Sequence, residues 1–414
     1  MTISSFAELG LAEQLLRALK DAQYSTPTPI QQRAIPLLLE GMDLLGIAQT
    51  GTGKTAAFTL PLLQNLVEDN ITALPRSPRA LILAPTRELA LQISDSIKVY
   101  GRHLRMRQAV VMGGVSQRPQ IEALRRGIDI LIATPGRLLD LINQRHVDLG
   151  ACEYLVIDEA DRMFDMGFIR DVRKIVSKLP DERQTLLFSA TMPAEVAKLA
   201  GEILYQPERV EIAARTVAVE AIEQRVHHLA STAKRDHLAK LLQAPDLAKV
   251  IVFTRTKRGA DQVVKRLARD GISAEAMHGN KSQNNRQRAL ENFRTGRSRV
   301  LVATDIAARG IDIDDITHVI NFELPHEPES YVHRIGRTAR AGAAGIAISF
   351  CDSSERPQLR AIERLIKRSL VVVGDMPVVA EAPAAKKDKD AARGPASGAR
   401  KRHRRPRRFE QRAA

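Results

Sequence analysis

Tryptophan is absent from this 414-residue chain, and aromatic side chains together make up only 4% of it. A protein that holds nucleic acid by stacking bases on rings needs more of them, so any such binding must rest on the backbone instead. Cysteine occurs twice, at Cys152 and Cys351. That excludes a disulfide framework and fits a reducing, intracellular compartment. No apolar run reaches the ~18–20 residues of a membrane span. The best stretch, Ile35 to Ile47, is broken by Glu40 and Asp43. The first residues carry neither a basic segment nor an apolar core, so no signal peptide is expected. The expected location is the cytoplasm, with no membrane contact.

What is present is ordinary globular composition, 44% hydrophobic and 27% charged, which excludes disorder throughout. The length exceeds one compact core, and two or three domains of ~100–200 residues are expected. Lys and Arg number 63 against 48 Asp and Glu, a net charge of +15. Such a balance favours a polyanionic partner, above all nucleic acid. The charge is uneven: residues 381–414 hold 12 basic and 4 acidic side chains, a net +8, leaving +7 for the rest.

Short β-branched and Leu-rich runs recur, each followed by a longer segment of helical character. They are Ala80–Ala84, Ala109–Met112, Ile128–Ala133, Tyr154–Ile157 and Thr185–Phe188, then Val250–Thr254, Arg299–Ala303, His318–Asn321 and Ile346–Phe350. Continuous apolar strands alternating with helices indicate parallel sheets covered on both faces. Two such sets predict two α/β domains. Tyr205 to Ala221 lacks apolar periodicity, so the domains are placed at 1–208 and 220–372 with a linker at 209–219. From residue 373 Ala, Pro, Gly, Lys and Arg dominate, which predicts a disordered basic tail, 373–414.

Residues 48–55 read Ala-Gln-Thr-Gly-Thr-Gly-Lys-Thr, a P-loop with Ala48 in place of the usual first Gly. Gly51 and Gly53 let backbone N–H groups converge on phosphate oxygens, and the helix that follows offers its positive end. Lys54 can reach the β- and γ-phosphates, and the Thr55 hydroxyl can sit on Mg2+. A Gly-rich turn with a solvated lysine is the plainer alternative. Tyr154–Ile157 then ends in Asp158-Glu159-Ala160-Asp161. A carboxylate at a strand tip can cap a helix. With a P-loop about a hundred residues upstream it reads better as a Walker-B site, with Asp158 holding Mg2+ and Glu159 orienting or deprotonating water.

At Asp158–Asp161 the chain resembles the DEAD-box RNA helicases, in wording closest to the bacterial RhlE-type group. The resemblance spans about residues 6–370 and rests on ordered motifs. Phe6 and Tyr24 precede Thr26-Pro27-Thr28-Pro29-Ile30-Gln31, similar to the family's adenine-reading motif. Pro85-Thr86-Arg87-Glu88-Leu89, Gly113-Gly114 and Thr134-Pro135-Gly136-Arg137 match its RNA-facing loops. Ser189-Ala190-Thr191 matches the segment that couples hydrolysis to domain closure. Val252-Phe253-Thr254-Arg255, Gln283–Arg286, Ala303-Thr304-Asp305 through Arg309-Gly310-Ile311-Asp312, and His333–Arg340 follow. Three positions depart from the common wording: Ala48, Asn280 where many members have Asp, and Ala339 where many have Gly. If residue 339 needs a positive φ, Ala there costs about 1 kcal/mol.

The resemblance implies two tandem RecA-like domains with ATP between them, and RNA as partner, single-stranded or in short duplexes. It implies nucleotide contacts from Phe6, Tyr24, Gln31, Gln49, Thr50, Gly51, Thr52, Gly53, Lys54, Thr55 and Asp312. Mg2+ falls to Thr55 and Asp158. Catalysis falls to Lys54, Asp158, Glu159, His333, Arg337 and Arg340, the last two as arginine fingers. Asp161, Ser189 and Thr191 are the coupling residues. RNA contacts are expected from Pro85, Thr86, Arg87, Gly114, Thr134, Pro135, Gly136, Arg137, Thr254, Arg255, Gln283, Arg286, Thr304, Arg309 and Gly310. Arg, Thr and Gly without an aromatic platform suit phosphates and 2′-OH groups, hence RNA without sequence preference. The run Arg400–Arg408 suits a tether to structured RNA, such as ribosomal precursors or substrates of the RNA-decay machinery, or simply a solubilising tail. Nothing in the core demands a dimer, so a monomer is expected. An ATP-gated RNA clamp and a DNA helicase are the competing readings.

Overall fold

Strand β2 (Ala80–Leu83) is buried at every residue. Its side chains alternate between two cores: Ala80 and Ile82 pack on one face of the sheet, Leu81 and Leu83 on the other. Period-two alternation with no polar face is what a strand covered on both sides requires. β4 (Ile130–Ala133) and β9 (Val250–Phe253) repeat the pattern.

The computed structural model describes residues 4–49, 51–69, 71–212, 222–244, 247–308, 313, 315–339 and 345–374. Thr50, Arg309, Gly310, Asp312, Arg340, most of the expected linker and the tail from 375 lie outside the described residues. Within them, two seven-stranded sheets form, and every strand pairing in both is parallel. The first runs β3-β4-β2-β5-β6-β1-β7, adding β1 (Leu44–Ile47), β3 (Gln108–Val111), β5 (Tyr154–Ile157), β6 (Gln184–Ser189) and β7 (Glu208–Glu211). The second runs β10-β11-β9-β12-β13-β8-β14, from β8 (Ile222–His228), β10 (Ala274–Met277), β11 (Val300–Ala303), β12 (His318–Asn321), β13 (Gly345–Cys351) and β14 (Val371–Val372). These are two tandem RecA-like α/β lobes. No helix among the described residues is long and apolar enough to cross a membrane.

Helices Pro29–Leu39 and Lys54–Glu68 cover one face of the first sheet; Pro135–Asn143, Ile169–Val176 and Ala194–Ile203 cover the other. Parallel strands need such crossovers, and they leave the loops after the strands free at one edge. Apart from Phe6, Tyr24 and Gln31, which precede β1, the expected site residues of the first lobe follow β1, β2, β3, β4, β5 and β6, at the carboxyl edge where open α/β sheets bind ligands.

Strands β1, β7, β8, β10 and the two-residue β14 differ from the sequence expectation. The apolar run Ile35–Ile47 divides: the helix ends at Glu40, Gly41 turns the chain with φ 81, and β1 begins at Leu44. Asp43 is no mere interruption. Its carboxylate accepts the Thr185 and Tyr205 N–H groups, both at 2.7 Å. Strand β7 crosses the boundary placed at residue 208, pairing with β1 through Glu211. It buries only Val210, so no periodicity marked it. β8 and β10 are likewise mixed in character. Cys152 and Cys351 are free and buried. Burial pushes their thiols up to about 12 and about 11, so both are unreactive.

Gly46 of β1 lies opposite Phe188 of β6, and a Cβ there would sit 2.4 Å from the Phe188 ring. Gly46→Ala should therefore cost about 1–3 kcal/mol by overpacking, read as a lower urea midpoint at unchanged slope. An unchanged midpoint would mean that the ring moves aside freely.

Candidate nucleotide site and nucleic-acid interface

β1 delivers the chain to a loop that ends at Gly53, the N-cap of helix Lys54–Glu68, in the left-handed region with φ 90. Gly51 also has positive φ, 85. Gly53 is required for a second reason: a Cβ would lie 2.5 Å from Gln31 Nε2 and 2.9 Å from Thr28 Oγ1. The Thr52 hydroxyl donates to the Gln49 carbonyl at 2.8 Å and tightens the loop. Gln31 is buried. Its Oε1 accepts the Thr28 N–H at 2.8 Å and its Nε2 donates to the Gly53 carbonyl at 3.1 Å. The side chain therefore ties its own helix start to the phosphate loop. Tyr24 is exposed, with its ring edge-on to Tyr100. Phe6 is 4% exposed and packs within the first lobe's core, away from any open face.

Lys54 and Asp158 are the electrostatic centre. Nζ and Oδ1 lie 3.8 Å apart, both side chains are buried, and neither atom has a hydrogen-bond partner. Buried charges normally have their lone pairs and protons satisfied. Burial, opposed by Lys54, pushes the Asp158 carboxyl up to about 6. An incomplete cation and an incomplete anion at a glycine loop fit phosphate oxygens on one side and a hard cation on the other. Thr55 and Asp158 supply oxygen donors of the right kind. Mg2+ takes few protein ligands beside phosphate and water, so two oxygen donors suffice.

The turn after β5 is held from two directions. Glu159 has φ 57 and ψ 53, a left-handed conformation rare for a non-glycine residue. Its Oε2 accepts from Arg162 Nη1 at 2.9 Å. Asp161 Oδ2 accepts both the N–H and the hydroxyl of Thr191 at 2.9 Å. Ser189 Oγ accepts the Asp161 N–H at 3.2 Å and donates to the Thr191 carbonyl at 2.6 Å. The structure thus joins Asp161, Ser189 and Thr191 into one network.

In the second lobe, Arg337 is buried and its Nε donates to the His333 carbonyl at 3.3 Å. Arg334, which sequence reasoning gave no role, is the hub of this region. It grips Asp305 with two bonds of 2.6 and 2.8 Å, donates to Asn321 and to the Glu323 carbonyl, and lies over the Phe253 ring. Only its place in an Arg-rich run hinted at it. Asn280, the departure from Asp, accepts from Lys257 Nζ at 2.9 Å, so the local contact survives without the second charge.

The expected RNA-facing residues fall into two groups. Arg87 Nη1 donates to Gln283 Oε1 at 3.3 Å, Gln283 Nε2 donates to Glu88 at 3.1 Å, and Arg286 pairs with Glu88 at 3.0 Å. Residues of both lobes meet in this clasp, and Glu88 was not singled out from sequence. Burial, with Arg286 and Arg137 nearby, pushes the Arg87 guanidinium down. Its fork lies over Gly114, where a Cβ would come within 2.1 Å. Thr86 caps helix Arg87–Tyr100, accepting the Leu89 N–H. Thr134 and Pro135 start helix Pro135–Asn143, leaving Gly136 exposed and Arg137 bonded to the Val115 carbonyl.

The second group is turned inward. Pro85 and Thr304 are buried. Thr254 is fully buried with its hydroxyl on the Thr256 carbonyl. Arg255 is bound to Glu323 and Glu355, beside buried Lys234, which pairs with Glu355 and Asp352.

Residues 28–199 match the DEAD/DEAH box helicase family model and residues 233–342 the helicase conserved C-terminal domain. A DEAD-box ATP-dependent RNA helicase CshA from Bacillus subtilis is 45% identical over 374 residues, 89% of this chain and 74% of that protein. The chain belongs to the DEAD-box RNA helicases. Among solved members of the family, S. cerevisiae Dbp5 bound to RNA and ADP BeF3 aligns with TM-score 0.80 at 33% identity, over 90% of this chain and 96% of that one. Mss116 bound to ssRNA and UDP-BeF aligns at 0.81 and 30% identity, over 91% of this chain and 81% of that one.

In this DEAD-box chain Ala339 has φ 55, so the family's usual glycine fits the backbone better. Ala339→Gly should stabilise the protein by about 1 kcal/mol, measured as a higher urea midpoint. A lower midpoint would show that the methyl group's packing against the Tyr331 and Ile335 cluster outweighs the strain.

Proposed function

We propose that this chain is an RNA-stimulated ATPase that separates short RNA duplexes locally or remodels RNA–protein complexes, holding the RNA backbone without strong sequence preference. The clasp between Arg87 and Glu88 of one lobe and Gln283 and Arg286 of the other carries the reading. It brings Arg87 of one lobe and Arg286 of the other together around buried Glu88, so whatever binds there also sets how the lobes meet.

The motif assignments supply the roles in this reading. Lys54 and the loop Gln49–Gly53 bind phosphates, while Tyr24 and Gln31 attend to the base and Asp312 to the ribose. Thr55 and Asp158 would hold Mg2+, which would supply charge neutralisation for the phosphates. Glu159 orients the water that attacks the γ-phosphorus as the bond to ADP breaks. Arg337, with Arg340 and His333, faces the transferred phosphoryl group when the lobes close. The Asp161–Ser189–Thr191 network passes the state of the nucleotide to the lobe contact. Binding of ATP and RNA drives closure, and loss of phosphate reopens it.

Thr86, Thr134 and Gly136 stand at helix starts whose N–H groups suit phosphates. Pro85, Thr254, Arg255, Thr304, Arg309 and Gly310 act through backbone positioning or after lobe movement. The similarity to the Bacillus subtilis protein supports a bacterial chain, and its place as a cytoplasmic monomer is carried over from the reading of the sequence. The motif wording supports the RhlE-type subgroup, beside the similarity to CshA.

Steady-state ATP hydrolysis tests the reading. Single-stranded RNA should raise the rate many-fold, and matched single-stranded DNA should not. A high rate without nucleic acid, or equal stimulation by DNA, overturns it.

The basic tail is read as a tether to structured RNA, ribosomal precursors or decay substrates. The +8 net charge of residues 381–414 supports this. A chain ended at Gly374 should bind RNA more weakly, with the largest loss at low salt. Unchanged affinity would leave the tail a solubilising segment.

A further inference from the structure

The side chain expected to orient water is itself gripped. Glu159 and Arg162 are 4% and 5% exposed, and Arg162 Nη1 donates to Glu159 Oε2 at 2.9 Å. Arg162 lies just beyond the Asp158–Asp161 stretch, on the six-residue helix Ala160–Asp165. Its side chain turns back one helical turn to reach residue 159, the direction helical side chains favour.

We propose that Arg162 is a positioning residue for Glu159: it fixes the carboxylate's aim at the attacking water. The inference rests on the reading of Glu159 given above. Three observations support it. The Glu159 backbone is left-handed, so its side chain leaves the turn in a direction no neighbouring helical residue shares. A buried carboxylate has many rotamers but few polar partners, and a guanidinium fork removes that freedom by a directed bond. The turn's other carboxylate, Asp161, is committed elsewhere: Oδ2 accepts from Thr191 and Oδ1 accepts the Arg162 backbone N–H, which leaves the guanidinium to Glu159. Arg162 also lowers the charge cost at Asp158, as the last and smallest of its influences, so an effect on nucleotide affinity must be measured separately.

A water nucleophile works only when held in line, and a misplacement of about 1 Å costs about 10²-fold in rate. Arg162→Gln should therefore lower the RNA-stimulated kcat by about 10- to 100-fold. The ATP KM and the affinity for a fluorescent ADP analogue should change less than about 3-fold on the same reasoning, because only the water's position is lost. Arg162→Lys keeps the cation without the fork and should recover part of the rate. In a Glu159→Gln background, Arg162→Gln should add little further loss, because the group it aims is already gone.

An unchanged kcat in Arg162→Gln overturns the proposal. So does a loss that multiplies fully with that of Glu159→Gln, or one confined to nucleotide affinity, which would place the action of Arg162 at Asp158. Thermal unfolding and ADP binding establish that each variant is folded. If Arg162→Gln does not fold, the cycle is run with Arg162→Lys, where full wild-type kcat or full multiplication with Glu159→Gln is the overturning result. Failure of the wider reading shows separately, as wild-type protein that RNA does not stimulate.

Discussion

Lys54 and Asp158 face each other across 3.8 Å in a buried site, each with an unsatisfied polar atom. Neither completes the other, since the separation exceeds a hydrogen bond. Much of the first lobe's architecture serves to hold this incomplete pair apart and aimed. β1 and the left-handed Gly53 that closes the loop after it launch Lys54 on a helix start. β5, central in the sheet, fixes Asp158, whose N–H donates to the Leu83 carbonyl. Such a pair costs folding free energy in the empty protein, and the cost becomes affinity when a ligand supplies the missing partners.

From that centre, rigidity spreads in a definite order. Gln31 ties the phosphate loop to the start of helix Pro29–Leu39. Asp161 ties the β5 turn to the Ser189–Thr191 loop. Glu88 and Arg87 then meet Gln283 and Arg286 of the other lobe. Each joint is a side chain bonded across to a separate element of the fold.

Legibility in the sequence followed burial and local density of information. β2, β4, β9 and β11 are apolar throughout because both faces are covered, and each stood out as a run. β1 did not, because a helix and a strand lie in one apolar stretch, separated only by Gly41 and an Asp that bonds to distant N–H groups. The phosphate loop and the Asp158–Asp161 turn were readable because their chemistry is contiguous. Arg334 and Glu88 were not, since their partners are fixed by tertiary approach; Glu88 and Arg286 are 198 residues apart in the chain. Phe6 shows the converse: an aromatic quoted with the nucleotide motif proves to be core. Ala339 is the middle case, where wording raised the question and backbone geometry answered it.

Strand β7 was obscure in the sequence for a reason that matters in a crowded solution. It is an outer strand, with Glu208, Arg209 and Glu211 exposed and Val210 alone turned inward. Arg33 donates to the Glu211 carbonyl at 2.9 Å, and Arg209 pairs with Glu211. An uncovered outer strand is a template on which another chain can add a strand and begin to aggregate. Here alternating charge repels such an addition, and one of the exposed carbonyls is already occupied. The features that hid this strand from a hydrophobicity pattern are those that keep the sheet from growing beyond its own molecule.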